Sequence, residues 1–399
     1  MKAYKALILN PVSSAIVEEH SYLAIDEGKI VSVSNKKPDC EIIDLEGKAI
    51  IPGMIDTHTH LAQFNVMGKG GKEELLEWLS NYIFPEEARL KDKAYAQKTA
   101  KRFFNEMIAN GTTAAAIYSS MHLEACNEAF KEAESLGIKA IIGKVMMDRN
   151  VPEREEAHDS VESSIKLCEK WNKKNNRLYY AFTPRFAPAC TERLLKEIGK
   201  ACSSNDAYVQ THLSENNQEI ELVKKLFNKH YINVYKDAGL LGKKTIMAHC
   251  IHLPEGDAKI LASTGTKVAH CPYSNTFLHS GTMPYFKWKK IGLTIGLGTD
   301  IAASPSLSMF GQMGSAIEAS KMKVEEAFYL ATLGGAKALG MGGRIGNFSK
   351  GKDADFVVID AGMLGAKDSL GLLKLLCKKG SKDCVEKVYV EGLLKKDVN

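Results

Sequence analysis

The middle of the chain alternates short apolar runs with stretches that have helical periodicity. Eight of the apolar runs suit buried strands: AIIPGMIDTH, TTAAAIYS, KAIIGKVMM, LYYAFTPR, AYVQTHLS, TIMAHC, KVAHCP and TIGLGTD. Nearly continuous apolar strands are typical of parallel sheets covered by helices. Eight of them with helical returns predict an α/β fold, the closed (β/α)8 or TIM barrel. An open doubly wound sheet is the alternative, but the chain lacks the GxGxxG turn that would favour it.

The two ends of the chain have a different pattern. Residues 1–52 and 343–399 alternate apolar and polar positions and carry turn residues at short intervals. This alternation indicates antiparallel strands. We therefore predict that residues 1–52 and 343–399 together form one small composite β-sandwich domain, and that residues 53–342 form a catalytic barrel.

The charge pattern gives no reason to expect a nucleic acid or a membrane as partner. Lys and Arg number 53 against 48 for Asp and Glu, and the net charge of +5 is not concentrated in one block. The sequence has neither the pattern of a signal peptide nor an apolar run long enough for a transmembrane helix. Its cysteines are irregularly spaced without a CxxC pair, which favours free thiols in a reducing compartment. We expect a cytoplasmic protein.

Polar residues recur at the ends of the predicted strands. In a barrel of this kind, catalytic groups lie at the C-terminal ends of the strands. The residues at these positions are His58, His60, Arg185, His212, His249, His270 and Asp300. Histidines placed only for packing would have no reason to prefer the same end of each strand.

Two of these histidines are spaced for a shared metal. His58 and His60 are two residues apart, so both side chains point to the same face of a strand. A pair of core histidines is the alternative explanation. With His212 and Asp300 added, the set has three neutral imidazoles and one carboxylate, which suits one Zn²⁺ ion per chain with a position left open for water.

Other polar residues are weighed individually. Glu215, three residues after His212, is the best candidate for general acid and base chemistry beside a metal. We expect Lys144 to be packed or paired rather than to bridge two metals, and His270 to be either a hydrogen-bonded scaffold residue or part of the pocket. Cys250 and Cys271 are predicted to be small buried residues. The other histidines are expected to be ordinary polar residues, and they are His20, His122, His158, His230, His252 and His279.

Several segments carry a family resemblance. In order and spacing, the chain resembles the amidohydrolase superfamily through PGMIDTHTH, THLSEN, MAHC, AHCPYSN and GLGTD. Within that superfamily it is similar to the guanine deaminase family through LLEWLSNYIFPEEARL, TPRFAPAC, QTHLSENNQEIELVK and IGLGTDIAASPSLSMF. The chain departs from the family pattern at Leu61 and Ala62, which lie between His60 and Gln63, and in the amino-acid sequence of the segment after Asp300. These departures concern the shapes of loops.

The resemblance implies a function and a set of site residues. The implied reaction is the zinc-dependent hydrolysis of guanine to xanthine and ammonia by a homodimer. The implied metal ligands are His58, His60, His212 and Asp300. The implied catalytic residues are Glu215, His249 and Asp300. The implied substrate contacts are Gln63, Arg185, Phe186, His60, His212, Glu215 and Asp300. Trp78 is expected either in the core or in the pocket wall.

Three other functions are weighed against this one. A deaminase for cytosine or for adenosine-like compounds would keep the same metal set, but Gln63, Arg185 and Phe186 argue against it. A non-catalytic barrel scaffold would be expected to lack metal ligands, and here none is missing. A nucleic acid deaminase would carry HxE followed by PCxxC, and this chain has no PCxxC segment.

Overall fold

The computed structural model describes residues 1–149, 157–366 and 368–397, without the side chains of residues 157 and 158. The expectation for the side chain of His158 therefore lies outside the described residues. The chain divides into two compact units. One contains Met1–Asp56, Asn105–Ala114 and Leu307–Asn399, and the other contains Thr57–Phe104 and Ala115–Ser306. No helix among the described residues is both long enough and apolar enough to cross a membrane.

The strands, in chain order, are β1 (Lys2–Pro11), β2 (Val17–Asp26), β3 (Lys29–Ser34), β4 (Glu41–Pro52), β5 (Met54–His60), β6 (Thr112–Tyr118), β7 (Lys139–Gly143), β8 (Val145–Met146), β9 (Leu178–Pro184), β10 (Tyr208–Leu213), β11 (Thr245–His249), β12 (Lys267–His270), β13 (Thr294–Leu297), β14 (Phe356–Asp360), β15 (Val385–Val390) and β16 (Leu393–Asp397).

The α-helices are α1 (Leu75–Trp78), α2 (Phe84–Ala88), α3 (Lys93–Ala109), α4 (Leu123–Leu136), α5 (Ala157–Trp171), α6 (Glu192–Asn205), α7 (Asn217–Phe227), α8 (Tyr231–Asp237), α9 (Glu255–Thr264), α10 (Pro272–Phe277), α11 (Tyr285–Ile291), α12 (Met309–Ser320), α13 (Val324–Leu330), α14 (Leu333–Ala338), α15 (Ala361–Leu364) and α16 (Ser369–Lys379). Short 3₁₀ turns cover Leu61–Val66, Arg89–Lys91, Ala187–Ala189 and Lys382–Cys384, and a π-helical turn covers Leu79–Ile83.

Both ends of the chain join in one seven-stranded sheet. Its order is β16-β15-β14-β4-β1-β2-β3, so β4 and β14 bring the two ends together. The buried face packs a cluster that includes Tyr4, Ile50 and Phe356. The rings of Phe356 and Tyr389 stack with centroids 4.3 Å apart. A separate sheet built from the chain ends is confirmed, but its strands are not all antiparallel as predicted, because β1 and β4 pair in parallel.

The predicted barrel is also confirmed. Its eight strands run in the order β5-β6-β7-β9-β10-β11-β12-β13, and the two-residue strand β8 adds to β9. Every residue of β5, β6, β10 and β11 is buried, which explains the continuous apolar runs in the sequence. The last and first strands approach each other where the Asp300 backbone N–H donates to the His58 carbonyl at 2.9 Å.

Candidate active site

Five polar side chains converge at one end of the barrel. His58 and His60 lie on β5, His212 on β10, His249 at the end of β11, and Asp300 shortly after β13. All five are buried. The chain needs Gly298 to bring Asp300 into this group, because a Cβ atom there would lie 2.8 Å from the His58 Cβ. The strand ends therefore assemble the residues that the sequence placed there.

Four of these side chains form a tight donor set. The Nε2 atom of His60 lies 3.2 Å from the Nε2 atoms of His58 and His212. The Asp300 Oδ1 atom lies 3.2 Å from His58 Nε2 and 3.3 Å from His60 Nε2. Ligand atoms at about 2.0–2.1 Å from one tetrahedral zinc ion are separated by about 3.3 Å. The spacing of the four atoms therefore fits a single metal ion.

A second grouping replaces His60 with His249. The donor atoms of His58, His212, His249 and Asp300 all lie within 4.8 Å of one another. That set is looser, because His249 Nε2 is 3.8 Å from Asp300 Oδ2. His249 Nε2 also lies 3.4 Å from Glu215 Oε2, which is outside the set. We prefer the tighter set with His60, which leaves His249 beside the metal position and facing both carboxylates.

The protonation of the histidines suits metal binding. The ring Nδ1 of His212 is 2.6 Å from the Arg185 carbonyl oxygen. A carbonyl only accepts, so Nδ1 carries the proton and Nε2 keeps its lone pair for the cluster. Burial lowers the pKa of His58 to about 4 and also lowers the pKa values of His60 and His212. Neutral imidazoles with free lone pairs are the form that binds a metal.

Glu215 and His249 form a second pair at the cavity wall. The Glu215 Oε1 atom accepts a hydrogen bond from Ser280 Oγ at 3.2 Å, and Oε2 faces the His249 ring. Burial raises the pKa of Glu215, although the nearby His249 opposes the shift. A buried carboxyl group that binds a proton more readily than usual is suited to proton transfer.

The helix α10 holds two of the reacting groups. Asn275 Oδ1 lies 2.8 Å from His249 Nδ1, and Ser274 Oγ donates to Asp300 Oδ2. With Nδ1 bonded to an acceptor, His249 Nε2 faces the carboxylates of Glu215 and Asp300, and although burial lowers the pKa of His249, these carboxylates raise it above its ordinary value. This Nε2 is a buried nitrogen with no hydrogen-bond partner among the described residues. Sequence reasoning missed both α10 residues, although PYSN is part of the segment that carries the family resemblance.

Glu219 holds the loop that carries Glu215. Its Oε2 atom accepts from the backbone N–H groups of Glu215 at 2.9 Å and Asn216 at 3.3 Å. Its other oxygen bonds to the Tyr231 hydroxyl. Asn216 and Glu219 form a capping box at the start of α7. The sequence signal for such a box, Asn followed three residues later by Glu before an apolar helix, is visible in NNQE.

The other end of the cavity is lined with apolar side chains and two hydrogen-bond donors, Gln63 and Arg185. The cavity encloses about 370 Å³ of space between its side chains, including part that is open to solvent. Its lining residues are His60, Gln63, Leu75, Trp78, Leu79, Arg185, Phe186, His212, Glu215, His249, Leu278 and Asp300. Every predicted substrate contact is among them. Trp78 is both a core residue and a wall of the cavity, with its indole N–H donating to the Lys69 carbonyl at 2.8 Å.

A buried carboxylate that sequence reasoning missed lies behind the two donors. Glu87 Oε2 is 2.6 Å from Arg185 Nη1, and Glu87 Oε1 accepts from Gln63 Nε2 at 2.9 Å. The Arg185 guanidinium also lies over the Phe84 ring, 5.1 Å from its centroid. Both Phe84 and Glu87 belong to α2, so one short helix orients the arginine from two sides.

Lys144 and His270 lie away from the cavity. Lys144 is buried and donates to Ser160 Oγ at 3.2 Å, in agreement with the prediction of a packed and paired lysine. His270 matches neither of its two expectations. It does not line the cavity, and neither ring nitrogen has a hydrogen-bond partner among the described residues. Burial lowers its pKa to about 3, so it is a neutral buried ring.

Comparison with known proteins identifies the family to which this chain belongs. The profile of the Amidohydrolase family matches residues 49–394, which is most of the chain. The chain belongs to the amidohydrolase family. This family is metal-dependent, and the chain is accordingly a hydrolase with a His/His/His/Asp cluster in its barrel.

The relatives of this amidohydrolase include guanine deaminases. It is 38% identical to guanine deaminase of Escherichia coli K12 over 408 residues, covering 94% of this chain and 91% of that protein. The solved structure of the E. coli enzyme matches with a TM-score of 0.94 at 34% identity over all of both chains. A guanine deaminase from C. acetobutylicum, solved with guanine in its active site, matches with a TM-score of 0.94 at 35% identity over 98% of this chain and 99% of that one.

Proposed function

We propose that this amidohydrolase removes the 2-amino group of guanine by hydrolysis, giving xanthine and ammonia. The observation that carries the proposal is the cavity itself. It joins the His/Asp cluster and Glu215 at one end to the donors Arg185 and Gln63 at the other. The similarity to guanine deaminases over nearly the whole chain supports the same substrate.

We propose that the metal is one Zn²⁺ per chain, held by His58, His60, His212 and Asp300. Three neutral imidazoles and a carboxylate form a donor set that suits zinc, and water would take a fifth position, since zinc at catalytic sites can expand to five ligands. When bound, the metal supplies the Lewis acidity that lets water lose a proton near neutral pH. The 3.2–3.3 Å spacing of the donor atoms supports this assignment.

The proposed proton transfers use three side chains. Asp300 accepts a proton from the attacking water, and His249 orients that water through Nε2. Glu215 delivers a proton to a ring nitrogen next to C2, which makes C2 more electrophilic. The water oxygen forms its bond to C2, and the tetrahedral adduct collapses when the C2–N bond breaks. Glu215 then takes the remaining proton of the new hydroxyl group on C2 and delivers it to the departing amine, which leaves as ammonia. The proton held by Asp300 passes back to Glu215 and closes the cycle.

Selectivity follows from hydrogen-bond donors at the other end. Arg185 and Gln63 present N–H groups that suit the carbonyl oxygen at C6 of guanine, and Phe186 offers an aromatic face. Adenine has an amino group at C6, so its donors would face the donors of the site. A site built around such a bond rejects the mismatched analogue by on the order of 10⁴-fold.

We also propose a cytoplasmic homodimer. All nine cysteines are free thiols, which supports a reducing compartment. The dimer rests on the resemblance to the guanine deaminase family, and the mass of the purified protein measured by light scattering tests it.

The direct test is an assay of the purified protein with guanine. We expect xanthine and ammonia in equal amounts, loss of both after removal of metal with a chelator, and recovery after addition of Zn²⁺. Cytosine and adenosine serve as parallel substrates. Faster turnover of either one would replace guanine as the substrate, and a protein that neither holds metal nor turns over any of the three would support the scaffold function.

A further inference from the structure

The buried carboxylate of Glu87 connects the two donors of the cavity. Its side chain is only 4% exposed, and its two oxygens bond to Gln63 Nε2 and Arg185 Nη1. Glu87 does not line the cavity itself. It therefore acts on anything bound there only through the two side chains that it holds.

The contacts of Gln63 fix which end of its amide is which. A carboxylate only accepts hydrogen bonds, so the amide nitrogen of Gln63 must face Glu87. The amide oxygen in turn accepts from the backbone N–H of Ala302 at 3.3 Å. An amide nitrogen has two hydrogens, and Glu87 takes one of them. The second remains for the cavity that Gln63 lines.

Arg185 is held in the same way. Glu87 takes an N–H of Nη1 and Phe84 packs against the face of the guanidinium, which sets the plane of its remaining donors. The negative charge of Glu87 also offsets the positive charge of Arg185 in a buried place. The cavity thus presents two oriented donors, Gln63 and Arg185, and the charges of Arg185 and Glu87 cancel. This pattern suits a neutral ligand with a carbonyl oxygen.

We infer that Glu87 is a positioning residue that sets the selectivity of the site for purines with a carbonyl group at C6. The inference rests on the proposed function and goes beyond it by naming what orients the donors. Without the carboxylate, only the bond from the Ala302 N–H at 3.3 Å still opposes a turn of the Gln63 amide that brings its oxygen to the cavity. The preference of the site for a carbonyl over an amino group at C6 then weakens.

The chain offers a matched pair of variants for the test, Glu87→Gln and Glu86→Gln. Both carboxylates lie on α2, both are buried, and both pair with an arginine. Glu86 bonds instead to Asn65, Tyr95 and Arg89, away from the cavity. Glu86→Gln therefore controls for the general cost of neutralising a buried carboxylate in this helix.

Two ligand pairs report selectivity. The holoenzymes are assayed with guanine and 2,6-diaminopurine, which share the 2-amino group and differ at C6. Calorimetry gives Kd for hypoxanthine and adenine, which needs no turnover. For Glu87→Gln we expect the preference for the 6-carbonyl ligand to fall roughly 10- to 100-fold in both pairs. The loss for guanine should come mainly through KM, with kcat within a few fold and metal content unchanged. Glu86→Gln should keep both preferences.

A Glu87→Gln protein that keeps the wild-type preference overturns the inference, as does an equal loss in Glu86→Gln. If Glu87→Gln fails to fold, the exchanged variant Gln63→Glu with Glu87→Gln keeps one buried carboxylate near Arg185 and presents an acceptor to the cavity. It should reverse the preference toward the 6-amino ligands, and retained preference for the 6-carbonyl ligands contradicts the inference. Failure of the proposed function shows separately, as a wild-type protein that makes no xanthine from guanine.

Discussion

The two ends of the cavity are built differently. At the proposed metal end, the side chains come from the strand ends of the barrel. Backbone and side-chain groups both hold them: the Arg185 carbonyl orients His212, Ser274 bonds to Asp300 and Asn275 bonds to His249. At the other end, which is the proposed purine end, Gln63, Trp78 and Leu79 come from residues 61–91, which contain only short helices and turns, whereas Arg185 and Phe186 follow strand β9. There, a side chain, Glu87, fixes the donors.

This difference separates chemistry from selectivity. The strand ends belong to the framework of the barrel, which fixes the positions of the groups they carry. The segment 61–91 connects β5 to α3, and Leu79, the first residue of its π-helical turn, lines the cavity. Changes at the metal end should therefore alter kcat, whereas changes at the purine end should alter KM and substrate preference.

The largest effect is expected from Glu215→Gln. The amide keeps the shape of the side chain but cannot transfer a proton, so kcat should fall by roughly 10²- to 10⁴-fold. Metal content, measured by elemental analysis, should stay at the wild-type level. A variant with near-native kcat would remove Glu215 from the mechanism.

Arg185→Lys should act at the other end. Lysine keeps the charge but lacks the planar fork that reaches both Glu87 and the purine. We expect a loss of about 1.5–3 kcal/mol in binding, or roughly 10- to 100-fold in kcat/KM, mainly through KM. A fall in kcat at unchanged KM would contradict the division between the two ends.

Asn275→Ala, at the metal end, should lower kcat rather than raise KM. Asn275 holds the His249 ring through Nδ1, and partners of this kind commonly contribute about 10- to 100-fold to activity. We expect a decrease near tenfold in kcat with little change in KM, from steady-state kinetics with guanine. Asn275→Asp keeps an acceptor for the ring N–H and should retain most of the activity. Equal losses in both variants would show that Asn275 acts in another way.

Phe186→Leu should have the smallest effect. The change removes an aromatic face but keeps an apolar wall, so the cost should be about 0.5–1.5 kcal/mol, or roughly two- to tenfold in KM. Thermal unfolding of the variant should stay close to that of the wild type. A KM equal to the wild-type value would indicate that the ring does not contact the purine.

The metal end could be predicted from the sequence because local rules place it. Alternation along a strand puts His58 and His60 on one face, and the barrel brings Asp300 next to them from a position far along the chain. Gly298 fits the same account, since only a residue without a Cβ leaves room beside His58. The seven-stranded sheet followed equally from alternation at both chain ends.

The supporting residues could not be found in this way. Glu87 is 98 residues from Arg185, and nothing in its neighbourhood distinguishes it from Glu86 next to it. Ser274 and Asn275 follow an apolar strand, where helix residues more often pack than bond to a site. His270 shows the opposite error, because its position at a strand end suggested a role in the pocket. The direction of its ring depends on packing that no local pattern encodes.

The central claim is that the two ends act separately, and a crossed measurement on His58→Asn and Arg185→Met tests it most directly. Both proteins are assayed for bound metal per chain and for the Kd of hypoxanthine. The account predicts that His58→Asn loses metal and keeps purine binding within a few fold, because His58 does not line the cavity. Arg185→Met should keep its metal, since its backbone carbonyl still orients His212, and should lose purine binding by at least roughly tenfold. If each variant lost both properties, the separation of the two ends would be wrong.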